Sequence, residues 1–214
     1  MTKSLILVSL CAATALFTGC ATTEGHDRAA ETADQVVELG GSAGQTQLRL
    51  DNTLVALEKV VATAQQDPKP AYATFVREYE AFTNEFAGLT KDREMLKAKS
   101  ATWFTEFEKQ NNAIGDADLR EAGTKRLAEF REQVAEVSEQ VDELMSGTSS
   151  LNTRLKDVRT FLGNDLTPKG IDTVSGRIGD AAKEGRKFAA GLGKLSKSST
   201  DLAAKMRAAR MPKS

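Results

Sequence analysis

The sequence predicts an all-α protein, an elongated antiparallel up-down four-helix bundle or coiled coil. Three observations carry that expectation. Apolar residues recur in alternating steps of three and four over three long stretches, the seven-residue repeat of helices that pack along a seam. All four prolines, Pro68, Pro70, Pro168 and Pro212, fall at breaks in that pattern, and a proline inside a helix costs about 3 kcal/mol. Charged residues make up 28% of the chain and aromatic residues 6%, a usage that suits solvated helices better than a sheet or a disordered chain.

The amino terminus is a separate element. Lys3 gives a positive start, Leu5 to Phe17 form an apolar run, and the small residues Thr18 and Gly19 precede Cys20. The run is too short to cross roughly 30 Å of hydrocarbon comfortably, so it reads as a cleavable signal over residues 1–19 rather than a retained anchor. The segment Leu16-Phe17-Thr18-Gly19-Cys20 resembles the lipobox of bacterial lipoproteins, with Phe17 where Leu is usual. That resemblance implies a cysteine that takes a diacylglycerol and becomes the first residue of the mature chain. The alternative is a signal without lipid, cleaved nearby, for example after Ala13-Thr14-Ala15.

Cysteine usage favours the lipid. Of the two cysteines, Cys11 leaves with the signal, and Cys20 remains as the only thiol, so no internal disulfide can form. An exported chain with one leftover cysteine needs a use for it, and acylation supplies one. Several acyl chains hold firmly, at about 0.8 kcal/mol per buried methylene. The lipid on Cys20 is the only added group expected, with no other cofactor. Ala21 follows the cysteine instead of the aspartate that retains Gram-negative lipoproteins on the inner membrane. Similarity to those proteins therefore implies the cell envelope, on the outer membrane facing the periplasm.

After a short lipidated tether at 20–25, residues 26–214 read as one long helical bundle, with helices near 26–65, 68–113, 117–162 and 168–209. Asp67-Pro68 and Thr167-Pro168 each set a capping side chain before a first-turn proline. Asp118 with Glu121 fits a capping box, and Gly115 and Gly163-Asn164 are candidate helix ends.

The first helix has the weakest seam: Leu50, Leu54, Leu57, Val61 and Ala64 fit, while Gly40, Gly41 and Gly44 loosen its front half. The second repeats through Tyr72, Phe75, Tyr79, Phe82, Phe86, Leu89, Arg93, Leu96, Ser100, Trp103, Phe107, Gln110 and Ile114. The third runs from Leu127 and Phe130 through Val134, Val137, Val141, Leu144, Thr148, Leu151, Leu155 and Val158 to Leu162. The fourth follows Ile171, Val174, Ile178, Ala181, Gly185, Phe188, Leu192, Leu195, Ser199, Leu202 and Met206. Short connections make sequential helices antiparallel, and about 45 residues at 1.5 Å each span roughly 65–70 Å. The cluster of Phe82, Phe86, Trp103, Phe104 and Phe107 lies on the seam except for Phe104, which favours core packing over a ligand pocket.

Surface patterns single out the fourth helix. Ser175, Ala182, Ala189, Ser196 and Ala203 fall in one heptad column, and side chains this short let a neighbour approach closely, within the chain or from a partner. Five glycines, at 176, 179, 185, 191 and 193, make this helix dependent on tertiary contacts, each costing about 1 kcal/mol relative to alanine. Its outer face carries Lys183, Arg186, Lys187, Lys194, Lys197 and Arg207. Residues 166–214 hold eleven Lys or Arg against four Asp or Glu, a net of +7. With −1 for the whole chain and +1 in the signal, residues 20–165 carry −9. Such asymmetry suits contact with anionic lipid, lipopolysaccharide or an acidic partner, or neutralisation against the acidic helices of the same chain. On the third helix, Glu129, Glu132, Glu136, Glu139 and Glu143 share a face, which reads as a solvated stripe; no histidine joins them to make a metal site.

The sequence offers little reaction chemistry. His26 is the only histidine, six residues from Cys20, so neither a His–His metal pair nor a well-held Ser/His triad is available. Gly191-Leu192-Gly193-Lys194 lies in mid-helix without the strand that a phosphate loop needs. Arg93, on the seam, snorkels or sets register. No enzyme, no metal and no nucleic-acid partner is expected.

Two stretches, Asp157-Val158-Arg159-Thr160-Phe161-Leu162-Gly163-Asn164-Asp165-Leu166 continuing to Ile171, and Ala101-Thr102-Trp103-Phe104-Thr105-Glu106-Phe107-Glu108, resemble a bacterial family catalogued as domain of unknown function 2959. The resemblance covers most of the mature chain. It implies a lipobox followed by long coiled-coil helices, and carries no active residues. The expected role is that of a helical scaffold, spacer or docking surface, tethered to a membrane and meeting an envelope protein or a second copy through its helices. The alternative is a peripheral binder of anionic lipid or lipopolysaccharide through the fourth helix.

Overall fold

The computed structural model describes residues 24–208, with side chains from Asp27 onward. Four helices follow in order, α1 (Glu24–Ala62), α2 (Lys69–Asn112), α3 (Ala117–Asn164) and α4 (Pro168–Ala208). No strand occurs among the described residues. At the three turns the helix ends lie within three residues of those read from the sequence. The helices hold 39 to 48 residues, or about 58–72 Å of rod at 1.5 Å per residue.

The protein is an all-α four-helix bundle. The backbones of α1 and α3 each run beside those of α2 and α4, while the diagonal pairs α1/α3 and α2/α4 bring no Cα atoms within 8 Å of each other; α2 and α4 meet through side chains, Phe82 and Phe86 against Phe188. Cross-links of side chains fix the directions. Tyr72 near the start of α2 donates to the carbonyl of Arg159 near the end of α3 at 2.9 Å, and Arg131 early in α3 reaches Glu108 late in α2 at 2.9 Å. On α4, Arg186 pairs with Glu58 and Arg207 with Asp34, so α4 runs against α1.

The links between helices follow the boundary residues, with one shift. Asp67 accepts from the backbone N–H of Lys69, and Thr167 Oγ1 from that of Gly170 at 3.1 Å. At the head of α3 the cap is Asp116 rather than Asp118: its carboxylate accepts from the N–H groups of Asp118 and Leu119 at 2.9 and 3.0 Å. Asp118 then lies inside the first turn, and Glu121 pairs with Lys125 instead of closing a box.

The seam positions of α4 are all buried, as are Phe75, Phe82, Leu89, Leu96 and Trp103 of α2 and Leu151, Leu155, Val158 and Leu162 of α3. Gln110 departs from the pattern. It is exposed, and Asn111 is buried in its place, where it donates to the carbonyl of Arg120 and to Thr124, both at 3.0 Å, and ties the α2–α3 hairpin together.

α1 corrects the expected seam. Val60 is buried and Val61 is not, and Ala64 lies past the end of the helix. The front half is not loosened by its glycines. A Cβ built on Gly40 would stand 2.9 Å from the Cβ of Ser199 and 3.3 Å from the carbonyl of Ser196. At Gly40, α1 and α4 approach too closely to leave room for a side chain. The small flank of α4 thus packs within the chain, against α1, with Ala182, Ala189 and Ala203 buried.

Candidate functional site

The six basic residues of α4 divide into two sets. Arg186 and Arg207 sit on the edge facing α1 and pair with Glu58 and Asp34, the second at 2.8 Å. Their charge is spent inside the bundle, stapling α4 to α1. Lys197 Nζ meets Asp201 one turn on at 2.7 Å, and that hydrogen bond raises the ammonium's pKa. Lys183, Lys187 and Lys194 are exposed, on the columns facing outward, and none makes an ion pair among the described residues. Of these six cations, three are therefore left as open ammonium groups over about three turns, rather than six forming a continuous basic face. Glu184, on the opposite edge, is engaged by Arg154 of α3 at 2.9 Å.

The acidic stripe of α3 stands fully in solvent, with Glu129, Glu132, Glu136, Glu139 and Glu143 all exposed. Among the described residues, no three His, Cys, Asp or Glu converge as metal ligands would. Arg93 sets register: it pairs with Glu94 beside it and with Asp142 on α3, and those carboxylates raise its pKa.

Of the aromatic cluster expected on α2, Phe82 and Trp103 are buried in the core, Phe86 and Phe104 pack against it, and Phe107 is half-buried. Phe82, Phe86 and Phe188 form a three-ring cluster with centroids 5.9–6.5 Å apart. Trp103 is buried between Phe104 and Phe130 at 5.1 and 5.3 Å. Aromatic contacts at such spacings are worth about 0.5–1.5 kcal/mol beyond the area they bury.

A groove of about 460 Å³ opens between α3 and α4 near their turn, lined by Arg154, Asp157, Val158, Phe161, Thr173, Val174 and Arg177. The heptad pattern does not mark it. Its signal was Phe161, a large aromatic one residue off the seam at Leu162, left facing outward. Arg177 stands at its rim without an ion pair.

Cys20 and the side chain of His26 lie outside the described residues. No described helix is long and apolar enough to cross a membrane. A model of the family described as Protein of unknown function (DUF2959) matches residues 20–205. No curated protein and no solved structure matches the chain.

Proposed function

The chain belongs to the DUF2959 family, and on that premise we propose that it is a non-enzymatic lipoprotein of the bacterial cell envelope. Its bundle acts as a scaffold, spacer or protein-docking surface, held by lipid on Cys20 to the outer membrane and facing the periplasm. The observation that carries the reading is positional. The lipobox-like Leu16-Phe17-Thr18-Gly19-Cys20 stands four residues before a rod of long helices, and the family match begins at Cys20 itself.

A thioether-linked lipid there places α1 next to the bilayer and leaves the bundle to act by contact. Metabolic labelling with a fatty acid tests this. The native chain incorporates label and Cys20→Ser does not; a Cys20→Ser form that still labels overturns the reading. Small-angle scattering tests the spacer, which requires a particle several times longer than wide.

A second reading has its own observation: Lys183, Lys187 and Lys194 stand exposed and without ion pairs on α4. They suit the phosphates of anionic lipid or lipopolysaccharide. On this reading a Cys20→Ser chain binds anionic vesicles at low salt and leaves them as salt rises, because exposed charges are screened over about 10 Å at 0.1 M. No binding at low salt rejects it.

A further inference from the structure

The outer face of α1 carries a pattern that the bundle does not use. Between Glu38 and Lys59 the exposed residues are Gly41, Gln45, Leu48, Asn52 and Val55. None is charged. Leu48 is 50% exposed and Val55 64%, and a Cβ on Gly41 would meet nothing within 4 Å. The exposed faces of the other helices are studded with Lys and Glu, as on the acidic stripe of α3. An uncharged stripe of about 21 Å, two heptads long from Gly41 to Val55, is thus unlike its surroundings.

The stripe reads as its own complement in reverse. One heptad column runs Glu38, Gln45, Asn52, Lys59, and the adjacent one Gly41, Leu48, Val55. Turned end for end about a point between residues 48 and 49, a second copy sets Lys59 opposite Glu38 and Asn52 opposite Gln45. A two-fold axis across the helices keeps each column on its own side of the contact, so these pairings occur twice. The same turn places Val55 over the partner's Gly41–Ser42, large against small, and brings the two Leu48 side chains together beside the axis. Glu38 and Lys59 are exposed and make no ion pair among the described residues, and Gln45 and Asn52 make no side-chain hydrogen bond among them. Asp51, the carboxylate nearest the axis, lies near Arg186, which offsets its charge. A parallel copy would instead stack Glu38 on Glu38 and Lys59 on Lys59.

We propose that the outer face of α1 docks a second copy of this chain, antiparallel, about a two-fold axis beside Leu48. The proposal deepens the docking-surface reading and rests on it only for the role of the contact, not for the lipid. Two helices of this length make a small interface, so the dimer is a weak one.

Cysteine crosslinking of the full chain in intact cells, with a bis-maleimide of about 10 Å reach, tests it; the parent chain, which carries only Cys11 and Cys20, serves as blank. Leu48→Cys is expected to trap dimers. Val55→Cys alone is expected at the level of the blank, because antiparallel copies hold those positions about 20 Å apart. Gly41→Cys combined with Val55→Cys is expected to link. On the Leu48→Cys background, Glu38→Lys lowers the dimer yield roughly three- to tenfold by replacing two attractions with two repulsions, and adding Lys59→Glu restores it. Equal linking at 48 and 55 means parallel copies and overturns the proposal. So does a blank result at 48, or a yield that ignores both charge changes. A chain that fails to dimerise yet burrows into neutral vesicles through Leu48 and Val55 would assign the stripe to lipid instead. Loss of fatty-acid label in Cys20→Ser leaves the crosslinking pattern intact, so the two ideas fail separately.

Discussion

α1 and α3 occupy opposite corners of the same bundle and are held by different means. α1 has buried residues on four of its seven heptad columns, including Thr32, Gln35, Gly40, Thr46 and Thr53 as well as Val36, Leu39, Leu50 and Leu57. α3 buries two columns, nearly all Val and Leu, and leaves Phe130, Leu144 and Met145 half-buried. Grooves border α3 on both sides, between it and α4 near Val158 and between it and α2 near Met145. Small side chains let α1 sink close to both neighbours; the larger residues of α3 hold it further out, and long polar side chains such as Arg93 and Tyr79 bridge the space. Close packing leaves no room to add atoms and little freedom to collapse where atoms are lost. Looser packing allows both.

The largest expected effect tests that difference directly. Leu50 on α1 and Leu151 on α3 are both fully buried. Truncating a buried leucine to alanine costs about 2.7–5 kcal/mol, and the spread follows how far the site relaxes. Leu50→Ala is expected near the top of that range and Leu151→Ala near the bottom, measured as the change in urea midpoint at constant slope. Equal losses would remove the contrast between the two helices.

Adding an atom sharpens it from the other side. Gly40→Ala puts a methyl into the Ser199 and Ser196 contact, where the nearer neighbours are a Cβ and a backbone carbonyl that cannot swing away. Overpacking costs about 1–3 kcal/mol against a helix gain of about 1 kcal/mol, so the substitution is expected to destabilise. Gly147 on α3 is exposed, and its added methyl would meet nothing within 4 Å. Gly147→Ala keeps the propensity gain and raises stability by about 1 kcal/mol. Thermal midpoints moving in the same direction for both would break the comparison.

The same difference explains what the sequence made legible. The seams of α2, α3 and α4 are written in Phe, Leu, Val and Ile at heptad steps, and the buried residues follow them with few exceptions. In α1 much of the core is polar by composition. Thr32, Thr46 and Thr53 return their hydroxyls to the carbonyls of Arg28, Ser42 and Arg49 at 2.7–2.9 Å, so each behaves inside the bundle as a small branched apolar side chain. A hydropathy pattern counts them as surface, and the expected seam slid one residue to Val61. The basic face of α4 was legible as composition but not as geometry. Which cations face solvent depends on Glu58 and Asp34 of α1, more than a hundred residues away in sequence.

Gln35 tests whether polar burial in α1 is needed for stability. It is fully buried, and neither its amide oxygen nor its amide nitrogen has a partner. An unpaired amide in an apolar setting costs about 1–3 kcal/mol by mutational measures. Gln35→Met keeps the length of the side chain and removes both orphan atoms, so a gain of about 1–2 kcal/mol is expected in urea unfolding. A loss would show that the amide takes part in an interaction that the close approach of α1 depends on.

The smallest effect concerns charge at the α1–α2 contact. Glu78 is buried and accepts from Arg77 at 3.0 Å and from Arg49 of α1 at 3.4 Å; the Arg77 hydrogen bond is the main cause holding its carboxyl below the usual 4.5. A carboxyl whose folded pKa is depressed releases its proton more readily when folded. Its contribution is therefore complete above the unfolded value and is lost as pH falls through the lower folded one. Both arginines are partly exposed, so solvent screening limits the worth of the group to about 1 kcal/mol. Glu78→Gln should be less stable than the native chain by that amount at neutral pH, with the gap closing as pH falls below the usual carboxylate range. Glu80, which meets Arg159 of α3 at 2.6 Å with both side chains exposed, is the control from the looser corner. Glu80→Gln should change stability by less than about 0.5 kcal/mol. An acid limb that Glu80→Gln flattens more than Glu78→Gln would place the stronger electrostatic contact on α3 and reverse the order argued for the two helices.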